Sequence, residues 1–296
     1  MKTLTAHMVY ALSEGERGGN PAAIILNADH LSANEKQALA QQLKVSETAF
    51  VSASGCATVK LEFFTPAQQI AHCGHATVAS FSLLREQRQL MPGWHRKETI
   101  DGMRRIQISA DSVMMEQSAP EYEPLPLASP LRQQICDALG LTKADLLETE
   151  APKLCIVSTG NRFLLVALAN SDDLAKIQAD QAALLKLSEQ LKLVGVYPFA
   201  LSPASSGFHA CARMFAPRYG IPEEAATGTA AGPLACYLAN YLHLKADLYR
   251  IQQGLHMTPA SPSVIEVKLE WSDQQIRSLM AGGQARIAET ITLSLP

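Results

Sequence analysis

Residues 63–84, FFTPAQQIAHCGHATVASFSLL, have a counterpart later in the chain in residues 214–238, MFAPRYGIPEEAATGTAAGPLACYL. Both stretches contain the pattern Phe-x-Pro-x-x-x-Ile, and both then reach a glycine followed by small apolar residues, Gly74 in the first and Gly228 in the second. An internal repeat of this kind bears on the whole fold, because each copy encodes one structural unit. The sequence therefore predicts two similar halves.

The segments that precede these stretches repeat in the same order. GGNPAAIIL at 18–26 resembles TGNRFLLVAL at 159–168, and SETAFVS at 46–52 takes the place of VYPFALS at 196–202. Chance explains any single pair of short apolar motifs, whereas three pairs in one order favour a duplication. Each copy reads as a Gly-Asn turn, an apolar strand, a helix, further strands and a helix that begins near a glycine.

The periodicity of apolar residues gives the class of each half. Helical spacing is present at 34–44 and at 172–193. Strand-like segments lie at 58–64, 105–110, 263–270 and 285–295. Strands outnumber helices and short turns join many of them, as in antiparallel sheets. The predicted class is α+β, with a cleft between two similar domains and a boundary in the Pro-rich, linker-like stretch 118–130, SAPEYEPLPLASP.

Composition excludes several classes of partner. Apolar residues make up 47 % of the 296 residues, which is enough for a large buried core. The net charge of −3 and the absence of Lys/Arg runs argue against nucleic acid and membrane surfaces as partners. The N-terminal sequence lacks a signal-peptide pattern, and the six cysteines lack framework spacing. We expect a soluble cytoplasmic protein with free thiols.

Each copy places polar residues and a glycine immediately before a small, apolar helical run. The runs are HCGHATVASFSLL at 72–84 and ATGTAAGPLACYLANYL at 226–242. The first turn of a helix leaves backbone N–H groups without intrahelical partners, and the positive end of the helix dipole lies there. Two such starts facing one cleft could hold a carboxylate and stabilise a developing negative charge.

The cluster His72-Cys73-Gly74-His75 allows three interpretations. As a metal site its spacing matches no zinc pattern, so we predict no metal. As a thiol base, Cys73 would need a second thiol in the other copy, and the repeat places Thr227 there.

The third interpretation makes the backbone near Gly74 and Gly228 the anion binder. His75 then donates a hydrogen bond or relays a proton, and Thr229 occupies the equivalent position in the second copy. This interpretation fits both halves.

Proton transfer also needs a carboxylate or another group that titrates near pH 7. Glu47 precedes the apolar run TAFVS, where partial burial would raise its pKa, although a surface glutamate beside a helix has the same pattern. Glu224 in PEEAATG is a second candidate with Glu223 as its competitor, and both also suit an acidic residue that stabilises a helix dipole. Composition and spacing leave these alternatives open.

The motifs as a set resemble the PhzF-like family of phenazine-biosynthesis isomerases, which share the diaminopimelate-epimerase fold. The resembling segments are GGNPAAI (18–24), SETAF (46–50), FFTPAQQIAHCGHAT (63–77), FAPRYGIPEEAATGTAAG (215–232), QQG (252–254) and AGGQARI (281–287). The resemblance implies that each half is a mostly antiparallel sheet wrapped around a central helix, with the active site in the cleft between them. It also implies that the C-terminal strand returns to the first domain, giving domains 1–117 with 281–296, and 118–280.

The resemblance assigns roles to residues that the motifs share. It implies that Glu47 is the general acid/base, with His75, Glu224 and Thr229 as further catalytic residues. The residues beside them are then expected to bind substrate: Ser46, Cys73, Gly74, Thr227 and Gly228. The resemblance implies a cofactor-free isomerase that moves a proton between carbons of a small carboxylated substrate. It also implies that the enzyme is a homodimer.

The chain also departs from the family pattern. Glu224 stands for an aspartate, Ala225 for a proline and Thr229 for a serine, and the stretch GLHMTPASPS at 254–263 lacks the family's arginine. These changes leave room for a different substrate. Two other functions remain open at this point, an amino-acid racemase or epimerase that uses Cys73 and a non-catalytic binding protein with the same fold.

Overall fold

The computed structural model describes residues 3–126 and 130–295. Its α-helices are α1 (Ala33–Leu43), α2 (Gly74–Glu86), α3 (Pro130–Leu139), α4 (Ser171–Lys176), α5 (Gln181–Gln190) and α6 (Gly228–Tyr241). Its first strands are β1 (Thr3–Ala11), β2 (Asn20–Ile25), β3 (Glu47–Ser52), β4 (Val59–Phe64), β5 (Gln69–Ile70), β6 (Gly93–Thr99), β7 (Gly102–Ile108), β8 (Val113–Ser118) and β9 (Glu121–Pro124). The remaining strands are β10 (Leu154–Ser158), β11 (Arg162–Leu168), β12 (Gly195–Leu201), β13 (Ala210–Ala212), β14 (Tyr249–Gln253), β15 (Ser263–Ser272), β16 (Gln275–Gly283) and β17 (Ala285–Ser294).

The chain divides into two compact units. Unit 1 comprises Met1–Glu116 and Gly282–Pro296, and unit 2 comprises Gln117–Ala281. Among the described residues, no helix is both long enough and apolar enough to cross a membrane. The six cysteines are free, as the lack of framework spacing predicts.

Unit 1 is a sheet that surrounds α2. β17 and β2 flank β1 in antiparallel pairings, β2 runs parallel to β3, and β3 runs antiparallel to β4. β4 runs parallel to β6, which continues antiparallel into β7 and β8. α2 contacts strands from β17 to β7, and its residues from His75 to Leu84 are all buried. Small residues along this helix, such as Ala76 and Ala79, let the strands approach it closely.

Unit 2 repeats this order of pairings around α6. β10 runs antiparallel to β11, β11 parallel to β12, and β12 antiparallel to β13. β13 then runs parallel to β14, and β14 antiparallel to β15. In both units the central helix connects the second parallel pair, β4 with β6 and β13 with β14. The predicted α+β fold with a duplicated half is therefore confirmed.

The predicted helical segment 172–193 consists of two helices instead of one. Asn170 caps α4, and the Asp180 side chain accepts hydrogen bonds from the backbone N–H groups of Ala182 and Ala183, each at 3.0 Å. Asp180 itself has extended backbone angles, so the chain leaves the helical conformation before α5 begins. The apolar spacing is continuous across the break, which explains why it predicts a single helix.

The predicted linker at 118–130 is partly a strand. β9 pairs antiparallel with β10, with Glu121 opposite Ser158 and Pro124 opposite Cys155. Pairing with a neighbouring strand overrides the linker-like composition, since Pro124 occupies only the last position of β9. Residues 127–129 of this stretch lie outside the described residues.

Candidate active site

The two central helices begin at the predicted glycines. Cys73 is the N-cap residue of α2, which starts at Gly74, and Thr227 is the N-cap residue of α6, which starts at Gly228. The equivalence of Cys73 with Thr227 that the repeat predicts is thus confirmed.

The start of α2 brings His75 beside Glu47. Glu47 opens β3 and is 5 % exposed, and His75 in the first turn of α2 is 4 % exposed. His75 Nε2 lies 3.3 Å from Glu47 Oε2. Ser46 is exposed and hydrogen bonds to the Glu47 carboxylate. Two residues predicted to share one function, 28 positions apart along the chain, therefore form a buried pair.

Asn20 completes this pair from the neighbouring strand. It opens β2, next to β3, and its Nδ2 lies 3.1 Å from His75 Nδ1. The glycine before it, Gly19, is required by the backbone that leads to Asn20. Its φ is +89°, and an added Cβ would lie 3.0 Å from the carbonyl oxygen of Ala11. The amide of Asn20 can serve either protonation state of His75, since a rotation exchanges its donor for its acceptor. The motif GGN marked this residue, but sequence reasoning gave it no role.

Glu47 and His75 hold each other in their charged forms. Burial alone raises the pKa of Glu47, but the His75 imidazolium and hydrogen bonds from His75 and Ser46 bring that pKa below its ordinary value. Burial alone lowers the pKa of His75, whereas hydrogen bonds to Cys73 and Glu47 and the negative charge of Glu47 raise it well above its ordinary value. The raised pKa predicted for a partly buried Glu47 is wrong, because that prediction considered burial and not a cationic partner.

Cys73 lies on the other side of the imidazole. Its Sγ is 3.6 Å from His75 Nδ1, and the residue is 7 % exposed. Burial raises the pKa of the Cys73 thiol, and the nearby His75 lowers it only in part, so the group is a neutral thiol at pH 7. Ligand atoms of Glu47, Cys73 and His75 all lie within 4.8 Å of one another. Sequence spacing did not predict this set of three, because Glu47 lies on β3 whereas Cys73 and His75 lie at the start of α2.

A second polar cluster surrounds the start of α6. The Thr227 hydroxyl donates a short hydrogen bond to the Glu224 carboxylate. Gln253, at the end of β14, is fully buried beneath them. Its Oε1 accepts from Tyr197 OH at 2.9 Å and from Thr227 N at 3.1 Å, and its Nε2 donates to the Glu224 carbonyl at 2.8 Å. The motif QQG marked Gln253, again without a role.

The structure separates the two adjacent glutamates. Glu223 forms a double ion pair with Arg213, in which Nε and Nη2 each lie 2.8 Å from a carboxylate oxygen. Arg213 also donates to the carbonyl of Leu174 at 2.9 Å. Glu224, not Glu223, therefore belongs to the cluster at the helix start. Thr229 is half-buried at the second position of α6 and, among the described residues, makes no side-chain hydrogen bond to this cluster.

Comparison with known proteins shows which family the chain belongs to. The family model of phenazine biosynthesis-like proteins, PhzC-PhzF, matches residues 9–290. The chain belongs to the PhzC-PhzF family.

Its relatives agree with this assignment. YddE of Salmonella typhimurium, described as an uncharacterized isomerase, is 32 % identical over 275 residues, or 91 % of each chain. The trans-2,3-dihydro-3-hydroxyanthranilate isomerase of Pseudomonas aeruginosa is 27 % identical over 279 residues, or 92 % of each chain. The crystal structure of a PhzF-family phenazine biosynthesis protein from Bacillus anthracis matches with a TM-score of 0.90 at 25 % identity, covering 99 % of this chain and 100 % of that one. The prediction of a PhzF-like isomerase is confirmed.

A close backbone approach fixes the start of the stretch 254–263 in this PhzC-PhzF protein. Gly254 of the QQG motif has a φ of +79°, and an added Cβ would lie 2.1 Å from the Ser261 carbonyl oxygen and 2.7 Å from that of Ala225. The backbone at Gly254 therefore lies directly against the backbones of Ser261 and Ala225, and Ala225 is the residue next to Glu224. Only glycine fits where these three backbone segments meet.

Proposed function

We propose that this isomerase moves a proton between two carbons of a small carboxylated substrate, with Glu47 as general acid/base and without a cofactor. The observation that carries the proposal is the buried contact of Glu47 with His75, at 3.3 Å. A carboxylate that stays ionised can accept a proton from carbon, and the contact with His75 keeps the Glu47 carboxylate ionised and in place.

The reaction needs one base that later becomes the acid. Glu47 takes a proton from a substrate carbon, and the electron pair of that bond moves into the conjugated system of the substrate. Glu47, now a carboxylic acid, returns the proton to another carbon of the same system. His75 remains next to the carboxyl group throughout and stabilises its ionised form, so the base is regenerated in each cycle.

The start of α2 supports binding of the substrate carboxylate. Its first-turn N–H groups and the positive end of the helix dipole favour an anion. The start of α6 differs, because Glu224 already places a carboxylate beside Thr227. An anion there would be repelled, so this cluster by itself suits an amino or hydroxyl group. We therefore propose an anion site at the start of α2 and a hydrogen-bond acceptor site at the start of α6.

The test compares Glu47→Gln with the native enzyme. We name trans-2,3-dihydro-3-hydroxyanthranilate, the substrate in the name of the Pseudomonas aeruginosa relative, as the first compound to assay, followed by other small unsaturated carboxylates. Loss of the acid/base is expected to reduce turnover by about 10²–10⁴-fold.

Glu62→Gln is the matched control. Glu62 lies on β4, next to β3, and pairs with Lys36, so the same chemical change is made away from His75. We expect its turnover to stay within about threefold of the native value, since it removes no acid/base. If Glu47→Gln also stayed within that range, Glu47 would not be the acid/base.

An amino-acid racemase that uses Cys73 remains the alternative, because Cys73 lies in the same cluster. That enzyme would introduce deuterium from solvent at the α-carbon of an amino acid, and Cys73→Ala would abolish the uptake. The raised pKa of the buried thiol argues against this alternative. No uptake across a panel of amino acids would exclude it.

A further inference from the structure

Lys97 is a fully buried lysine on β6. Its Nζ donates to Thr77 Oγ1 at 2.9 Å, lies 3.3 Å from His72 Nδ1, and is 5.3 Å from the centre of the Phe63 ring. In the described part of the chain, no carboxylate forms an ion pair with it. Burying a charge without a counter-charge is unfavourable, so this lysine requires an explanation.

Lys36 shows what an ordinary buried lysine does in the same unit. It is 5 % exposed, pairs with the carboxylate of Glu62, and lies 5.9 Å from the centre of the Phe50 ring. The two lysines share burial and an aromatic neighbour, and they differ in the counter-ion. The missing counter-ion is therefore particular to Lys97.

Hydrogen bonds connect Lys97 to the first turn of α2. The Thr77 hydroxyl, which accepts from Lys97, donates to the carbonyl of Cys73 at 2.6 Å. Cys73 is the N-cap residue, so this connection fixes the peptide that precedes Gly74. The His72 contact holds the chain on the other side of Cys73. Lys97 thereby holds the segment that positions His75.

A carboxylate that acts on Lys97, that of Asp101, forms its own ion pair with Arg104 at 3.0 Å. Burial lowers the pKa of Lys97 to about 7, Cys73 and Asp101 oppose this change, and Arg104 adds to it. Cys73 is a neutral thiol, and Asp101 is an exposed residue of the turn between β6 and β7. Burial, Lys97 and Arg104 hold the pKa of His72 well below its ordinary value, so that ring is neutral.

We propose that Lys97 is a positioning residue that holds the first turn of α2 and supplies positive charge for a small carboxylate bound there. The inference rests on the proposed carboxylate site at this helix start. Such an anion provides the counter-charge that Lys97 lacks, so binding favours the ammonium form and takes up a proton. At pH values where Lys97 is neutral, the carboxylate binds more weakly.

The experiment uses benzoate as the carboxylate and benzamide as its uncharged counterpart. Isothermal titration calorimetry on the full chain measures both at pH 6 and pH 8.5 for the native protein, Lys97→Met, Thr77→Val and Lys36→Met. Lys97→Met removes a buried positive charge and is therefore expected to weaken benzoate binding at pH 6 by about 10- to 30-fold. Native affinity for benzoate falls by about tenfold between the two pH values, whereas that of Lys97→Met stays constant.

The other variants separate charge from folding. Thr77→Val keeps the ammonium and is expected to retain the pH dependence of benzoate binding. Its affinity should be reduced by about threefold, because the hydrogen bonds of the Thr77 hydroxyl to Lys97 and to the Cys73 carbonyl are lost. Lys36→Met removes a buried lysine elsewhere and should also retain that pH dependence. Benzamide binding should change little with pH in any variant.

Three results would overturn the inference. These are no benzoate binding to the native protein, pH-independent native binding, or native affinity in a folded Lys97→Met. If Lys97→Met fails to fold, loss of the pH dependence in Thr77→Val overturns it. Turnover by Glu47→Gln tests the proposed acid/base separately, so either proposal can fail while the other stands.

Discussion

Replacing Glu47 by Gln is expected to discharge His75. The two groups are 3.3 Å apart and both are less than 10 % exposed, so solvent screens their attraction poorly. With an effective dielectric constant of about 20, Coulomb's law gives an attraction of roughly 5 kcal/mol. This corresponds to more than three powers of ten in the proton affinity of the imidazole. Once the anion is removed, burial favours the neutral ring.

The assay is ¹⁵N NMR of the histidine side chains, because the ring nitrogens of imidazole and imidazolium differ strongly in chemical shift. The chain has 8 histidines, and the spectrum of His75→Asn identifies the signal of His75. The native protein should show a protonated His75 at pH 7, and Glu47→Gln a neutral one. A protonated His75 in Glu47→Gln would refute the reasoning, since another group would then stabilise the charge.

Three further predictions follow from the polar clusters and Lys97. Gln253→Leu leaves Tyr197 OH and Thr227 N without their acceptor and should lower the free energy of unfolding, measured by urea denaturation, by about 2–5 kcal/mol. The control Gln252→Leu should change this free energy by less than about 1 kcal/mol. Equal effects of the two substitutions would contradict the prediction. The folded chain loses the Lys97 proton near pH 7 and the unfolded chain near pH 10.5. The free energy of unfolding of the native protein relative to Lys97→Met should therefore rise between these pH values, by up to about 1.4 kcal/mol per pH unit. A difference that stays constant with pH would refute this prediction. Dialysis against a chelator should leave turnover unchanged, whereas loss of turnover that zinc restores would make Glu47, Cys73 and His75 a metal site.

The duplication made much of the fold predictable. In both copies a glycine follows the pattern Phe-x-Pro-x-x-x-Ile, and this glycine correctly predicted where each central helix begins. The alignment of the two copies also placed Thr227 opposite Cys73. These features depend on local sequence, which is repeated and can be compared. The break at Asp180 was missed because apolar spacing continues through it, and only the side-chain cap shows where α5 begins.

The partners of the site residues could not be predicted in the same way. Asn20 reaches His75 because β2 lies beside β3, and Gln253 reaches Thr227 from the end of β14. Such contacts depend on which strands pair and in which register, and neither is visible in the spacing of residues. The same limitation applies to Glu47. The sequence left a buried and a surface position open for it, and it did not show the neighbouring imidazolium that lowers its pKa.

The central claim is that Glu47 carries a proton between two carbons, and isotope transfer tests it most directly. Substrate deuterated at the carbon that loses hydrogen is converted in ordinary water, and the product is analysed by mass spectrometry and NMR. The product of the native enzyme should carry some deuterium at the new carbon, because a buried carboxyl group exchanges its proton slowly. Glu47→Gln should form product about 10²–10⁴-fold more slowly. Product formed by Glu47→Gln with the deuterium still transferred, at a rate within about threefold of the native enzyme, would contradict it.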